Sequence, residues 1–280
     1  MTDFLRLMRF DKPVGTLLLL WPTLSALWLA ADGAPSLANL IIFVCGVIFM
    51  RAAGCVINDY TDRHVDGAVA RTRDRPLVNG RITPKQALIV FFTLCLASFL
   101  LVLCTNMLTI LLSFGGLAIA MAYPFMKRHT HLPQLVLGAA WAWGIPMAFA
   151  AETGTLPGGL WVFYTAVVLW TVAFDTFYAM VDRADDIKIG LKSTAILFDD
   201  LDLVMIGLLQ GLTLFALILT GQKFGMGQWY FIGMGLIGLL FVYQHMIARN
   251  RQPAACFRAF GSNNWVGAVL FTAIVIDTSI

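Results

Sequence analysis

Repeated apolar runs, each about long enough to cross a bilayer, constrain this chain more than any other feature. They lie near 15–31, 37–57, 87–103, 108–126, 132–151, 160–180, 203–220, 229–247 and 265–276. A spanning helix needs roughly 20 apolar residues, and a backbone in hydrocarbon must satisfy its own hydrogen bonds. Hydrophobic residues make up 59% of the chain and charged ones 12%, far from the balance of a soluble domain. The sequence therefore predicts an all-α integral membrane protein with about nine transmembrane helices. No linker or low-complexity stretch divides it, so a single domain is expected over 1–280.

Basic residues set the expected orientation. Of 19 Lys and Arg, 17 fall at the N-terminus or in alternate connections; Lys223 lies on the opposite side and Arg51 within a span. The positive-inside rule then puts the N-terminus on the cytoplasmic side and, after nine spans, the C-terminus outside. The net charge of +3 follows from this topology and gives no reason to expect a nucleic-acid partner. The start resembles a signal peptide only superficially, because Pro13 and a run reaching Ala31 without a convincing small-residue cleavage site argue for a retained first helix. Five cysteines show no paired metal spacing and are expected to pack as small apolar groups. His129, His131 and His245 are expected at the membrane interface. Gly115, Gly116 and Ala120 offer small-residue spacing for close helix contact, which leaves the oligomeric state open.

Two acidic clusters occur where apolar runs end, each after an even-numbered span and four spans apart. In the first, Asn58, Asp62 and Asp66 recur every four residues; in the second, Tyr178, Asp182 and Asp186 do so. If each helix continues through its cluster, each set forms one stripe. Facing carboxylates repel unless cations neutralise them, and an all-oxygen set favours a hard ion, Mg²⁺ above all. A diphosphate bridged by metal is the natural guest. The connections from Asp59 to Lys85 and from Asp182 to Lys192 interleave these acids with bases, among them Arg71, Arg75, Lys188 and Lys192. Arg binds phosphate oxygens bidentately and Lys as a point charge. Ordinary surface ion pairs would explain the bases but not two acidic stripes at the ends of lipid-embedded helices.

Arg51 sits seven residues before Asn58, about 10 Å deeper on the same stripe, and Asp175 stands in the same relation to Asp182. Ionisable groups at that depth need a polar cavity or a partner. Either an Arg51–Asp175 ion pair or a pocket for an anionic acceptor satisfies that need.

The run Arg51 to Gly80, with Asn58-Asp59-x-x-Asp62-Arg63-x-x-Asp66 and Arg71-Thr72-x-x-Arg75-Pro76-Leu77, resembles the first signature of the UbiA-type intramembrane prenyltransferases, and Tyr178 to Asp186 resembles the second. The stretches 9–16, 123–128, 131–134, 144–151 and 188–198 are similar to one branch, the bacterial 4-hydroxybenzoate polyprenyltransferases of ubiquinone synthesis. Val78-Asn79 departs from the Pro-Ser usual there. The resemblance implies a central cavity with a cytoplasmic cap and a lateral opening, in a bacterial inner membrane. It implies polyprenyl diphosphate as donor and 4-hydroxybenzoate as acceptor, alkylated meta to its carboxylate. Asn58, Asp62 and Asp66 would hold one Mg²⁺ and Asp182 and Asp186 another. Arg75, Lys127 and Lys188 or Lys192 would neutralise the remaining diphosphate charge. Arg51 would take the acceptor carboxylate, with Asp62, Asp175 and Tyr178 nearby; Asp62 or diphosphate would collect the ring proton. Phe174, Phe177 and Tyr178 are candidates for a cation–π wall.

Three rivals remain. A CDP-alcohol phosphotransferase shares Asp66-Gly67-x-x-Ala70-Arg71 but needs acids where this chain has Arg63, Pro84 and Leu88. A transporter would place its ionisable groups nearer mid-membrane. Another UbiA-type acceptor, such as a haem or a naphthoate, would keep both acidic clusters.

Overall fold

The computed structural model describes residues 2–68 and 71–280; Ala70 of the phosphotransferase-like pattern lies outside them. In chain order the helices are α1 (Thr2–Leu7), α2 (Val14–Ala31), α3 (Leu37–Asp62), α4 (Pro84–Val102), α5 (Met107–His129), α6 (Pro133–Ala142), α7 (Gly144–Thr153), α8 (Gly158–Ile189), α9 (Thr194–Phe198), α10 (Asp202–Lys223), α11 (Gln228–Ala248) and α12 (Pro253–Ser279). Short 3₁₀ turns occupy Asp66–Ala68 and Asp199–Leu201. Among the described residues there is no strand, and nine spans are long and apolar enough to cross a membrane, counting α6 and α7 as one.

Successive spans alternate in direction, so the start of α2 and the ends of α3, α5, α8 and α11 gather at one end of the bundle, which carries the acids. The axis of the bundle is α8, the most buried span at 67%. Its Leu160, Phe163, Val167 and Phe174 pack into a core with Leu27, Phe149, Ile237 and Leu270 from α2, α7, α11 and α12. A second cluster, including Leu7, Val56, Leu77, Ile82 and Phe91, seats α1 and the 63–83 loop on α3 and α4. That loop is therefore a packed cap over the acid end.

Six expectations need correction. The fifth span breaks at Trp143: Pro146 has no N–H to return to the carbonyl of Ala142, and the Trp143 indole N–H instead donates to the Leu112 carbonyl at 2.8 Å. Gly115 and Gly116 make room for that indole ring, on which any Cβ at either position would press, so their smallness serves Trp143. Helix α3 does not continue to Asp66; it ends at Asp62, and the chain turns through Val65 N–H to Asp62 C=O at 2.8 Å. In contrast, α8 runs through the whole second cluster to a left-handed Gly190 cap, so most of 182–192 is helix rather than loop. Helix α12 is far longer than its apolar tail, because Asn263 and Asn264 are absorbed by the indole N–H groups of Trp170 and Trp21 at 2.8 and 2.9 Å. His245, expected at the interface, is partly buried and shares a hydrogen bond with Gln210 at 2.9 Å.

Candidate active site

One cavity of about 1420 Å³ opens at the acid end and collects nearly every residue singled out above. Asn58 and Asp62 reach it from the last turn of α3, Asp66 from the 3₁₀ turn, and Tyr178, Asp182 and Asp186 from one face of α8. Asp175 enters two turns deeper, Lys127 near the end of α5, and Lys192 just beyond α8. Lys188 is the exception: it is 73% exposed, pairs with Asp185 at 3.2 Å and does not line the cavity. It sits two residues after Asp186, off the face that carries the acids.

The acids are tied to bases drawn from distant parts of the chain. Arg71, in the cap loop, donates to both carboxylate oxygens of Asp182 and lies 4.6 Å over the Tyr178 ring. Arg75 bridges Asp66 at 2.6 Å and Asp59 at 2.9 Å, while Arg9 donates to Asp59 at 2.8 Å. Lys127 is 3.4 Å from Asp62. Burial opposes the charge of Arg71, but Tyr178 and Asp182 outweigh it and hold its pKa above the usual arginine value. Burial likewise works against Arg75, and Asp59 and Asp66 raise it. Burial pushes the Asp66 carboxyl above its ordinary pKa, against the pull of Arg75. Concentrating acids here is thus costly, and strong positive charge compensates it.

Among the described residues, no three Asp, Glu, His or Cys groups converge as a protein-only metal cluster. The donor set nevertheless fits a hard cation shared with a ligand: its oxygens belong to carboxylates and to Asn58, whose Oδ1 is buried without a hydrogen-bond partner. Such ions commonly keep open positions for substrate phosphate.

Deeper in the cavity, Arg51 lies 5.4 Å over the Trp141 ring, and its Nη1 is 2.6 Å from the Cys55 sulfur. Its Nε is buried and, among the described residues, has no hydrogen-bond partner. No ion pair joins it to Asp175 among the described residues, so the pairing alternative is not the arrangement found. Gly15 of α2 creates the room: a Cβ there would collide with the guanidinium. Aromatic rings surround this depth. Trp141 and Phe174 have centroids 6.2 Å apart, Tyr178 and Phe260 4.8 Å, and Phe257 and Phe260 6.0 Å. Phe177 packs instead beside His245 and does not line the cavity.

Sequence reasoning passed over Asp59, Arg9, Trp141, Phe257 and Phe260. Asp59 lies off the four-residue stripe, yet it is 1% exposed, and its partners come from 50 and 16 residues away. The available signal was the cost of burying an acid at the end of an apolar run, which demands a base somewhere.

Comparison with known proteins agrees with this geometry. Residues 19–273 match the model of the UbiA prenyltransferase family. The chain is 60% identical to a 4-hydroxybenzoate octaprenyltransferase of Ectopseudomonas mendocina, covering 98% of this chain and 93% of that one. It is 59% identical to a protein of the same name from Saccharophagus degradans, over 98% and 92%. Among solved structures, a UbiA homolog from Aeropyrum pernix superposes with a TM-score of 0.84 at 25% identity, covering 94% of this chain and 97% of that one. A UbiA homolog from Archaeoglobus fulgidus bound to GPP and Mg²⁺ gives 0.73 at 18% identity, over 99% and 100%, which supports the fold alone. With two acidic clusters facing one cavity in a membrane-spanning helical bundle and a family match over most of its length, this chain belongs to the UbiA prenyltransferase family.

Proposed function

We propose that this chain transfers a polyprenyl group from polyprenyl diphosphate to 4-hydroxybenzoate, at the ring carbon meta to the carboxylate, and releases diphosphate as a membrane step of ubiquinone biosynthesis. The observation that carries this reading is the division of one cavity into two charged levels. Acids and bases suited to a metal diphosphate occupy its mouth, and Arg51, joined to no acid by an ion pair among the described residues, lies deeper among aromatic rings. Relatives named 4-hydroxybenzoate octaprenyltransferase, at 55–60% identity over nearly the whole chain, support the choice of acceptor.

Asn58, Asp62, Asp66, Asp182 and Asp186 would hold Mg²⁺. When bound, the ion would neutralise the diphosphate and make it a competent leaving group. Arg71, Arg75, Lys127 and Lys192 would bind the remaining phosphate oxygens, aimed where negative charge grows as the allylic C–O bond breaks. The bonding electron pair leaves with the diphosphate. Tyr178, Phe174 and Phe260 would face the allylic cation with their π surfaces and keep water away. Arg51 would grip the acceptor carboxylate, with Asp175 and Tyr178 flanking the ring. The carbon ortho to the phenol then forms the new C–C bond, and its proton passes to Asp62 or to the departing diphosphate. The chain would work as one unit over 1–280 in a bacterial inner membrane. Its N-terminus and acid end would face the cytoplasm and its C-terminus the outside, in keeping with the basic residues around the acid end.

The test is transfer of a radiolabelled polyprenyl group to 4-hydroxybenzoate by membranes overproducing the protein, with Mg²⁺ and then with EDTA. A prenylated product formed only with Mg²⁺ is expected. Product formation with another aromatic acceptor alone would overturn the acceptor assignment, and no consumption of donor with any acceptor would overturn the reaction.

A further inference from the structure

Two exposed rims at the charged end of the cavity differ in kind. At the start of α12, Pro253, Ala254 and Phe257 are exposed and line the cavity, and no charged side chain of that helix does so. At the connection between α1 and α2, the bases Arg6, Arg9 and Lys12 line it beside a single acid, Asp11. Arg6 and Lys12 are exposed, and neither is in an ion pair among the described residues.

This basic rim is fixed in place. Leu7 is fully buried in a cluster with Val56, Ile82 and Phe91, which anchors α1. Arg9 holds a left-handed backbone at φ 60°, and its guanidinium donates to both carboxylate oxygens of Asp59 at 2.8 and 3.1 Å. The chain then turns through the Lys12 N–H, which donates to the Arg9 carbonyl at 3.0 Å. From Lys12 the wall runs on through Pro13, Val14 and Gly15, which line the cavity in succession, and Gly15 lies against the Arg51 guanidinium. The first turn of α2 therefore joins the rim to the deep arginine. On the α3 and α8 side of the mouth, acids outnumber bases, so an anion approaching there is repelled. A cleft edged by one sign of charge concentrates ions of the other.

We propose that the α1–α2 connection is the entry site for the aromatic acceptor, where Arg6 and Lys12 draw its carboxylate from water and pass it along Val14 and Gly15 to Arg51. This rests on the prenyl-transfer reading. An ionised aromatic carboxylate pays heavily to enter hydrocarbon, so it reaches Arg51 from the water side. The α12 rim offers that anion no opposite charge, and the acid clusters oppose it. Only the α1–α2 rim combines exposure, unpaired positive charge and a direct wall to Arg51.

Cys55 supplies a reporter, because it lines the cavity with its sulfur 2.6 Å from Arg51 Nη1. The purified protein in a neutral detergent is treated with 2-sulfonatoethyl methanethiosulfonate, an anion, or with its trimethylammonium counterpart, a cation. Labelling is followed by mass spectrometry on the tryptic peptide 52–63, which contains Cys55. Arg6→Glu combined with Lys12→Glu should lower the anion-to-cation ratio of labelling rates by about tenfold in dilute buffer. The difference should shrink above about 0.1 M salt, as screening shortens the reach of the rim. Arg249→Glu, which alters an exposed base away from the cavity, should leave the ratio unchanged. In the unaltered protein, 4-hydroxybenzoate should slow labelling by both reagents, and labelling unaffected by it would remove it as the occupant. A ratio unmoved by the double reversal, or moved equally by Arg249→Glu, would overturn the entry site even if membranes prenylate 4-hydroxybenzoate. A shifted ratio in a protein that prenylates no acceptor would support an anion entry site and overturn only the reaction on which it was read.

Discussion

Arg51 is held by geometry rather than by an opposite charge. Its guanidinium fits between the Trp141 ring, Cys55 and the bare backbone of Gly15. Arg51→Ala should raise KM for the acceptor with a smaller effect on the donor, and an acceptor KM unchanged in steady-state kinetics would remove it from the acceptor site. Gly15→Ala should act in the same direction while keeping the charge, because the added methyl group displaces the guanidinium. Asp182→Ala should lower turnover by at least about a hundredfold, since it removes an acid from the proposed diphosphate site and the Asp182 anchor of Arg71 together. These residues were legible in the sequence: the four-residue spacing of Asp182 and Tyr178 and the depth of Arg51 are local properties of single helices. Asp59 was not, because its environment is made by Arg9 and Arg75, which reach it only through the folding of α1 and the cap loop. Lys188 was misplaced for the opposite reason. Its proximity in sequence to Asp186 hid the fact that an unbroken helix turns it away from the cavity.

Among the elements, α8 is tied at the acid end to α10 and to the turn after α11 by one buried acid. Asp202, fully buried at the start of α10, pairs with Arg183 of α8 and with Arg251 of the turn between α11 and α12. Arg251 holds a left-handed backbone at φ 52°, and its side chain also donates to the Asp200 carbonyl at 2.8 Å. Asp202→Ala would strand two guanidinium groups. A loss of about 3 kcal/mol is expected, the low end for breaking a buried pair because Arg251 is 41% exposed. A fall of several degrees in the thermal midpoint in detergent would report it, and an unchanged midpoint would show that the pair contributes nothing to stability. Hydropathy located the spans well, since burial in lipid acts on whole segments. It missed the break at Trp143 and the true length of α12, because a missing N–H at Pro146 and the indole partners of Asn263 and Asn264 leave no trace in an average over 20 residues.

For the whole molecule, the charged mouth and the apolar depth belong to one cavity, so the proposed lipid-like donor would meet different surroundings at its head and its tail. Removing divalent cations should abolish transfer in sealed or solubilised preparations alike, and rescue by re-addition checks that the loss is not unfolding. Phe92 and Leu96 of α4 and Phe114 of α5 line the cavity and are also exposed, so it opens sideways between these two helices, and that opening has a kinetic consequence for the proposed donor. A donor that arrives sideways is sampled from a two-dimensional solvent, so the concentration the protein responds to is the donor's mole fraction among lipids and not its amount per volume of buffer. In proteoliposomes below saturation, adding inert lipid at constant total donor and protein should slow turnover, whereas diluting the same vesicles in buffer should not.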